Sequence, residues 1–288
     1  MVNDLKKGLK IFFPIFFIAI LLGTTTVKGD YNVAVGNTFK YDVVKSSWDI
    51  TFGTNTSKGT GFNFKGVKYP VGTQFTVEVT AVSPTSSVDW DMTVGTETES
   101  GSNNLFDIIG IAFSLFLPVI FASGLSGSWN QTEIDLGPYI FDLFFVEPVS
   151  FSDFFYELSN ETYVTESMSD TNFEFNNVYG AFDNSSTIAI FEWHFDISYT
   201  NSDANFGGIY TFKLAFDKNT GQVKGQYFTF DYAGTVDGET FNYKFTQLVE
   251  DENYNMPGVG FIPGFEWFVT LPVLVLLGSI VVIVRRRK

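Results

Sequence analysis

One histidine and two nearby carboxylates are the residues of this chain best suited to chemistry. His194 lies between Glu192 and Asp196 at alternate positions, so a β-strand would place all three on one face, about 7 Å apart. The chain has no other histidine, whereas zinc sites without cysteine typically take two or three. A serine hydrolase would need His194 as its base, and no G-x-S-x-G turn is present. We therefore expect a solvated strand face, with no catalytic residue, no metal and no cofactor.

Two other acidic motifs have the spacing of cation ligands. The segment Asp217–Gly221 begins like a calcium loop, but its glycine comes one place early and no glutamate follows at the twelfth position, so we expect a hairpin turn. Asp89 and Asp91 flank Trp90 and would share a strand face. Solvation explains this pair better than a weak divalent-cation site.

Four asparagines begin the N-x-[ST] triplet of N-glycosylation, and chance predicts about three such triplets in this composition. They are therefore candidate sites only if the protein is exported: Asn55, Asn130, Asn160 and Asn184.

Alternation of apolar and polar residues predicts that a mainly β fold positions these groups. The pattern is clearest from about Phe173 to Val249, where turn-forming residues such as Asp237-Gly238 separate five alternating segments. We expect an antiparallel meander there, within a sandwich or a curved half-barrel sheet. The N-terminal half also alternates. The pattern V-G-x-x-F-x-x-[DE]-V occurs at both Val35–Val43 and Val71–Val79, and either duplicated hairpin chemistry or coincidence explains the repeat.

The middle of the chain, Leu105–Leu158, is rich in phenylalanine and predicts two or three short helices packed on the sheet. Ser150 and Asp153 have the spacing of a helix start. The apolar stretch Ile108–Ala122 is interpreted as a buried segment. Two interpretations of the phenylalanines remain open: an ordinary core, or the lining of an apolar cavity that holds a lipid.

Charge and cysteine content exclude several classes of protein. Residues 30–264 contain nine basic and 30 acidic residues, a formal charge of −21, and no lysine or arginine occurs between Tyr69 and Phe212. Such a surface repels the phosphates of nucleic acids. Because the chain has no cysteine, disulfide scaffolds, thiol enzymes and zinc fingers are excluded.

The two ends predict the membrane topology. Lys6, Lys7 and Lys10 precede the apolar run Ile11–Gly23, which is typical of a secretory signal cut after Gly29, with an uncleaved signal anchor as the alternative. Near the C-terminus, 18 uncharged residues (267–284) precede four basic ones, and this arrangement is typical of a transmembrane helix with a cytoplasmic tail. The predicted organisation is a signal peptide at 1–29, an ectodomain at 30–255, a linker at 256–264, a transmembrane helix at 265–284 and a tail at 285–288.

The C-terminal sequence Pro263-Gly264-Phe265, followed by an apolar helix and RRRK, resembles the PGF-CTERM sorting signal of archaeal surface proteins. The acidic, phenylalanine-rich ectodomain and its V-G-x-x-F strand starts are similar to the choice-of-anchor surface proteins of Asgard-type archaea. The resemblance implies that an archaeosortase-like enzyme recognises Pro263, Gly264 and Phe265, removes the helix and attaches a lipid.

Together these observations predict a non-enzymatic, single-pass protein of the cell membrane with an extracellular ectodomain. The ectodomain would be a structural or adhesive interaction module, with a lipid or a surface-layer component as its partner and no nucleic acid. The alternative is a carrier for a lipid or another apolar ligand, held by the phenylalanine-rich helices over the sheet.

Overall fold

The computed structural model describes residues 31–83, 86–104, 107, 129–162, 165 and 173–258. The chain divides into two compact units, Met1–Tyr254 and Asn255–Lys288, and every element named below belongs to the first. The strands are β1 (Thr38–Phe52), β2 (Asn55–Thr60), β3 (Phe62–Phe64), β4 (Val67–Tyr69), β5 (Gln74–Ser83), β6 (Ser87–Val94), β7 (Glu97–Asn104), β8 (Phe173–Asp183), β9 (Ile188–Thr200), β10 (Ala204–Asp217), β11 (Val223–Val236) and β12 (Glu239–Asp251). The helices are α1 (Gln131–Ile134) and α2 (Pro148–Leu158).

Ten of the strands form one antiparallel sheet, and β3 pairs with β4 in a separate hairpin. The order is β7-β6-β5-β1-β12-β11-β10-β9-β8, with β2 also paired to β1. The prediction of a mainly β fold with short helices in the middle is thereby confirmed for the described residues.

The predicted five-strand meander is confirmed as β8 to β12, each strand hydrogen-bonded to the next. Its last connection has only two residues, Asp237 and Gly238, with φ of 53° and 78°. Both values are positive, as a tight hairpin turn of the I′ type requires, and glycine and aspartate tolerate that conformation. The local turn residues therefore fix the register of β11 against β12.

Strand β1 joins the two halves of the sheet. It pairs with β12 from Tyr41 to Phe52 along one side. Its other side is shared, since residues 38–42 pair with β5 and residues 47–52 pair with β2. The first and last strands in sequence, β1 and β12, are thus direct neighbours inside the sheet, and this long-range pairing joins the N-terminal hairpins to the meander.

The two copies of the V-G-x-x-F motif lie against each other across an approximate two-fold axis. Lys40 pairs with Thr76, its equivalent 36 residues later, and the register runs symmetrically outward from this pair. Matching backbone hydrogen bonds of 2.8 Å join Gly36 N to Val79 O and Gly72 N to Val43 O. The two copies of the motif therefore form the same turn and the same backbone hydrogen bond, once on each strand of the pair.

The face of the sheet that carries Phe191 and Trp193 is buried and is here called the inner face. Aromatic rings on neighbouring strands contact each other across it, as in Phe212 with Phe228, whose ring centroids lie 4.7 Å apart. A second apolar cluster lies on the N-terminal hairpins, where Trp90 meets Phe144 edge to face at 5.0 Å. Phenylalanines from the middle of the chain are part of both clusters.

Helix α2 packs on the inner face through residues spaced three and four apart. Its buried side chains are Pro148, Phe151, Phe154, Phe155 and Leu158. The predicted helix start at Ser150 and Asp153 is wrong by one turn. The Glu147 carboxylate caps the helix by accepting hydrogen bonds from Val149 N at 3.0 Å and Ser150 N at 2.7 Å, and Pro148 fits the first helical position.

Candidate functional site

The side chains around the single histidine lie on the outer face of β9, opposite the buried Phe191 and Trp193. His194 Nδ1 lies 3.0 Å from Thr211 Oγ1 on β10. The Glu192 carboxylate forms an ion pair with Lys213 Nζ at 2.9 Å. Two of the three candidate ligands thus have partners on the neighbouring strand, and no group of three His, Asp or Glu side chains within the described residues is placed to hold a metal ion.

The other acidic motifs also have partners within the fold. The connection between β10 and β11 is the predicted hairpin turn, in which Asp217 Oδ1 accepts a hydrogen bond from Asn219 N at 2.7 Å. On β6, Asp91 Oδ1 accepts a hydrogen bond from Ser100 Oγ at 2.6 Å, while Asp89 lies on the same strand face. These contacts show that Asp217 stabilises a turn and that Asp91 stabilises the pairing of β6 with β7.

All four candidate glycosylation asparagines have exposed side chains, and each lies at or next to the end of a strand or helix: Asn55, Asn130, Asn160 and Asn184. Two of them also form local hydrogen bonds. Asn130 Oδ1 caps α1 through Glu133 N at 3.4 Å, and Asn160 Oδ1 accepts from Thr162 N at 3.1 Å. Exposure of this kind leaves room for a glycan at each position.

The predicted signal peptide, the stretch Ile108–Ala122, the sorting motif Pro263-Gly264-Phe265 and the transmembrane helix lie outside the described residues. Among the helices that are described, none combines the length and the apolar character needed to cross a bilayer.

One line of polar side chains crosses the outer face from strand to strand. Cross-strand pairing aligns a hydroxyl residue on each of five successive strands, and this set is here called the hydroxyl row: Thr211, Thr229, Thr246, Ser47 and Thr60. His194 and Tyr179 continue the line onto β9 and β8. Thr229 Oγ1 and Thr246 Oγ1 lie 3.2 Å apart, so these two hydroxyls are within hydrogen-bond distance of each other.

A parallel line of charges lies next to the hydroxyl row. Asp231, Lys244, Asp49 and Lys58 pair in this order across four strands and alternate in sign. Two ion pairs result, Asp231 with Lys244 at 3.0 Å and Asp49 with Lys58 at 3.1 Å. Their side chains are between 37% and 78% exposed, which shows that this part of the outer face is open to solvent. The charges of the line cancel locally although the domain as a whole is strongly acidic.

Asn103 joins the end of β7 to the segment that precedes α2. Its buried side chain accepts hydrogen bonds from Phe144 N at 2.9 Å and Phe145 N at 3.1 Å, and it donates to Asp107 Oδ2 at 3.1 Å. Burial raises the pKa of Asp107 and of Asp142. This polar cluster satisfies backbone groups that the core would otherwise leave unpaired.

Two buried tyrosines differ in their hydrogen bonding. Tyr41 Oη donates to Val223 O at 2.8 Å. Tyr232 Oη lies on the inner face and has no hydrogen-bond partner within the described part of the chain. Burial raises the pKa of both phenols, because ionisation would place a negative charge in an apolar core.

We expect Tyr232→Phe to raise the free energy of unfolding by about 1 kcal/mol at pH 7, because it removes a buried hydroxyl that lacks a partner. Tyr41→Phe is the control and is expected to lower it by about 1 kcal/mol, since Val223 O loses its donor. Chemical denaturation at pH 7 measures both changes. A stability loss for Tyr232→Phe equal to that of Tyr41→Phe would contradict the assignment.

The raised pKa values also predict how stability depends on alkaline pH. The folded state keeps these phenols neutral above pH 10, where the unfolded state ionises them, so their contribution to stability is present below pH 10 and lost above it. At pH 11, each phenol that stays neutral in the folded state lowers the free energy of unfolding by about 1.4 kcal/mol. Tyr232→Phe removes one such cost, so its advantage over the wild type should grow between pH 7 and pH 11 in the same denaturation experiment.

Comparison of this chain with the models of protein families, with curated proteins and with solved structures gives no match.

Proposed function

We propose that this chain is an exported surface protein, held in the cell membrane by its C-terminal segment, with the acidic β-rich domain outside. The observation that carries the proposal is the run of 18 uncharged residues at 267–284, followed at once by Arg285, Arg286, Arg287 and Lys288. An apolar segment of this length matches the thickness of a bilayer, and basic residues mark the cytoplasmic end.

The charge of the domain supports a location outside the cell. Residues 30–264 contain 30 acidic side chains and nine basic ones, so ion pairs such as that between Lys40 and Glu252 leave most of the negative charge uncompensated. The remaining negative charge keeps such a surface hydrated and apart from its neighbours. The exposed positions of the four glycosylation triplets fit the same location, because a glycan needs an accessible asparagine.

Within this proposal the domain acts as a structural or adhesive interaction module. The candidate chemistry around His194 is engaged in contacts between β9 and β10, which favours a structural role for those side chains. The proposed partners are the membrane, a surface-layer or lipid component, and an archaeosortase-like enzyme that would act at Pro263, Gly264 and Phe265.

Membrane fractionation tests the anchor. In a host that lacks a sorting enzyme, the full chain is expected to stay in the membrane pellet after an alkaline carbonate wash. Deleting residues 267–284 is expected to release the domain into the soluble or secreted fraction. A full-length chain that is washed off the membrane would contradict the proposed anchor.

A second candidate function is the binding of an apolar ligand on the inner face. Two observations favour it: the Tyr232 hydroxyl is buried without a partner among the described residues, and Tyr243 and Phe245 are only partly buried although they point to the same face. Organic extraction of the purified chain, followed by mass spectrometry, tests it. A stoichiometric lipid supports the carrier function, and a stable ligand-free protein argues against it.

A further inference from the structure

The hydroxyl row offers hydrogen bonds in a regular array. Adjacent strands are about 4.8 Å apart, so the five hydroxyls from Thr211 on β10 to Thr60 on β2 extend over about 19 Å in a direction perpendicular to the strands. A hydroxyl group has one donor and two acceptor positions. Thr229 contacts Thr246 and also the Tyr227 phenol, so the two threonine hydroxyls still have hydrogen-bonding positions available to a ligand, more of them on Thr246 than on Thr229.

The surroundings of the row are polar, and three ion pairs lie beside it. On one side, Asp231 pairs with Lys244 and Asp49 pairs with Lys58. On the other side, Glu192 pairs with Lys213. Asp196 on β9 and Lys45 on β1 also lie on the flanking lines, so the charges around the row are of both signs although residues 30–264 carry a formal charge of −21. An uncharged ligand fits this pattern, because it gains hydrogen bonds without having to match a surface of mixed charge.

Other kinds of partner fit the row less well. Extended peptides pair with the edge of a sheet, whereas the row crosses the middle of a face. A lipid surface requires several exposed apolar side chains, and the large ones with high exposure on the row, its continuation and its two flanking lines are Ile209 and Tyr179, which lie on different strands. The negative charge of the domain repels polyanions such as nucleic acids and acidic glycans.

We propose that the hydroxyl row binds a neutral polysaccharide that lies across the strands. One sugar unit of an extended chain is comparable in length to the spacing between strands, so successive units meet successive hydroxyls. Tyr179, which continues the line on β8 and is 47% exposed, offers a ring on which a terminal sugar packs. This inference deepens the proposed function, since it names the partner class of the extracellular module and rests on that location.

Retention of the purified full-length chain on insoluble cellulose, chitin and mannan tests the proposal, with heparin-agarose as the anionic comparison. The detergent should be a polyoxyethylene ether, because glycoside detergents would compete for the site. The test variant is Thr229→Val with Thr246→Val, which replaces two hydroxyls by methyl groups of the same shape and keeps β-branched side chains on the sheet.

The matched control is Thr51→Val with Thr56→Val. These two threonines also face each other across adjacent strands, and they lie on the same outer face but outside the row. The control therefore distinguishes the loss of hydroxyls from the row from the general effect of replacing threonine in a strand. Equal melting temperatures of the two double variants show that any difference in binding is not caused by misfolding.

We expect the wild type and the control to be retained by at least one of the neutral polysaccharides, and the Thr229 and Thr246 double variant to bind it at least about tenfold more weakly. No retention on any of the three, retention on heparin-agarose alone, or equal retention of both double variants would overturn the proposal. The carbonate-wash experiment measures the anchor separately, so failure of glycan binding and failure of the membrane location are distinguishable.

Discussion

Replacing Phe155 with alanine is expected to lower the free energy of unfolding by about 3–5 kcal/mol. The ring is fully buried in α2 and stacks on Phe191 of β9, with centroids 4.3 Å apart. It also contacts Phe151 edge to face at 5.6 Å. Removal of the ring loses these contacts and leaves a cavity between the helix and the sheet, so α2 should lose much of its attachment to β9.

The neighbouring Tyr156 supplies the control, because its side chain is 68% exposed in the same helix. Tyr156→Ala is expected to change the free energy of unfolding by less than about 0.5 kcal/mol. Denaturation of both variants, followed by tryptophan fluorescence, makes the comparison. Similar effects of the two substitutions would mean that α2 does not pack on the sheet as described.

Gly208→Ala is expected to cost about 3 kcal/mol through a backbone clash. A Cβ atom at this position would lie 1.9 Å from Asp231 O on β11. The obstacle is main chain, which cannot rotate away as a side chain can. The pairing of β10 with β11 must therefore shift or open locally, and the centre of the meander loses stability.

Gly207 is the matched control because it precedes Gly208 on the same strand. A Cβ atom there would meet Ile197 O at 3.1 Å, a contact that a small adjustment relieves. We expect Gly207→Ala to cost less than half as much as Gly208→Ala, as measured by thermal denaturation of the two variants. The reverse order of stabilities would contradict the described pairing of β10 with β11.

The meander could be predicted from the sequence because its determinants are local. Alternation along β9 separates Phe191 and Trp193 from Glu192 and His194, and the Asp237-Gly238 turn fixes a hairpin within a few residues. The pairing of β1 with β12 has no such signal, because these strands lie about 200 residues apart and no turn connects them.

The hydroxyl row could not be predicted from the sequence either, because it depends on how separate strands pair. The alignment of Thr211, Thr229 and Thr246 in one row depends on the register of two strand pairs, and no pattern within a single strand indicates that alignment. A shift of one residue in any pair would move a threonine out of the row. The predicted start of α2 is wrong for a different, local reason: serine is a common N-cap residue, whereas Glu147 performs that role here.

Cysteine labelling tests directly whether the domain lies outside the cell, because the chain has no cysteine of its own. Two single-cysteine variants of the full chain suffice: Asn219→Cys, in the exposed turn between β10 and β11, and Lys288→Cys, in the basic tail. On intact cells that lack a sorting enzyme, a membrane-impermeant maleimide is expected to label the first variant, and to label the second only after permeabilisation. Labelling of Lys288→Cys on intact cells, or protection of Asn219→Cys, would contradict an extracellular domain with a cytoplasmic tail.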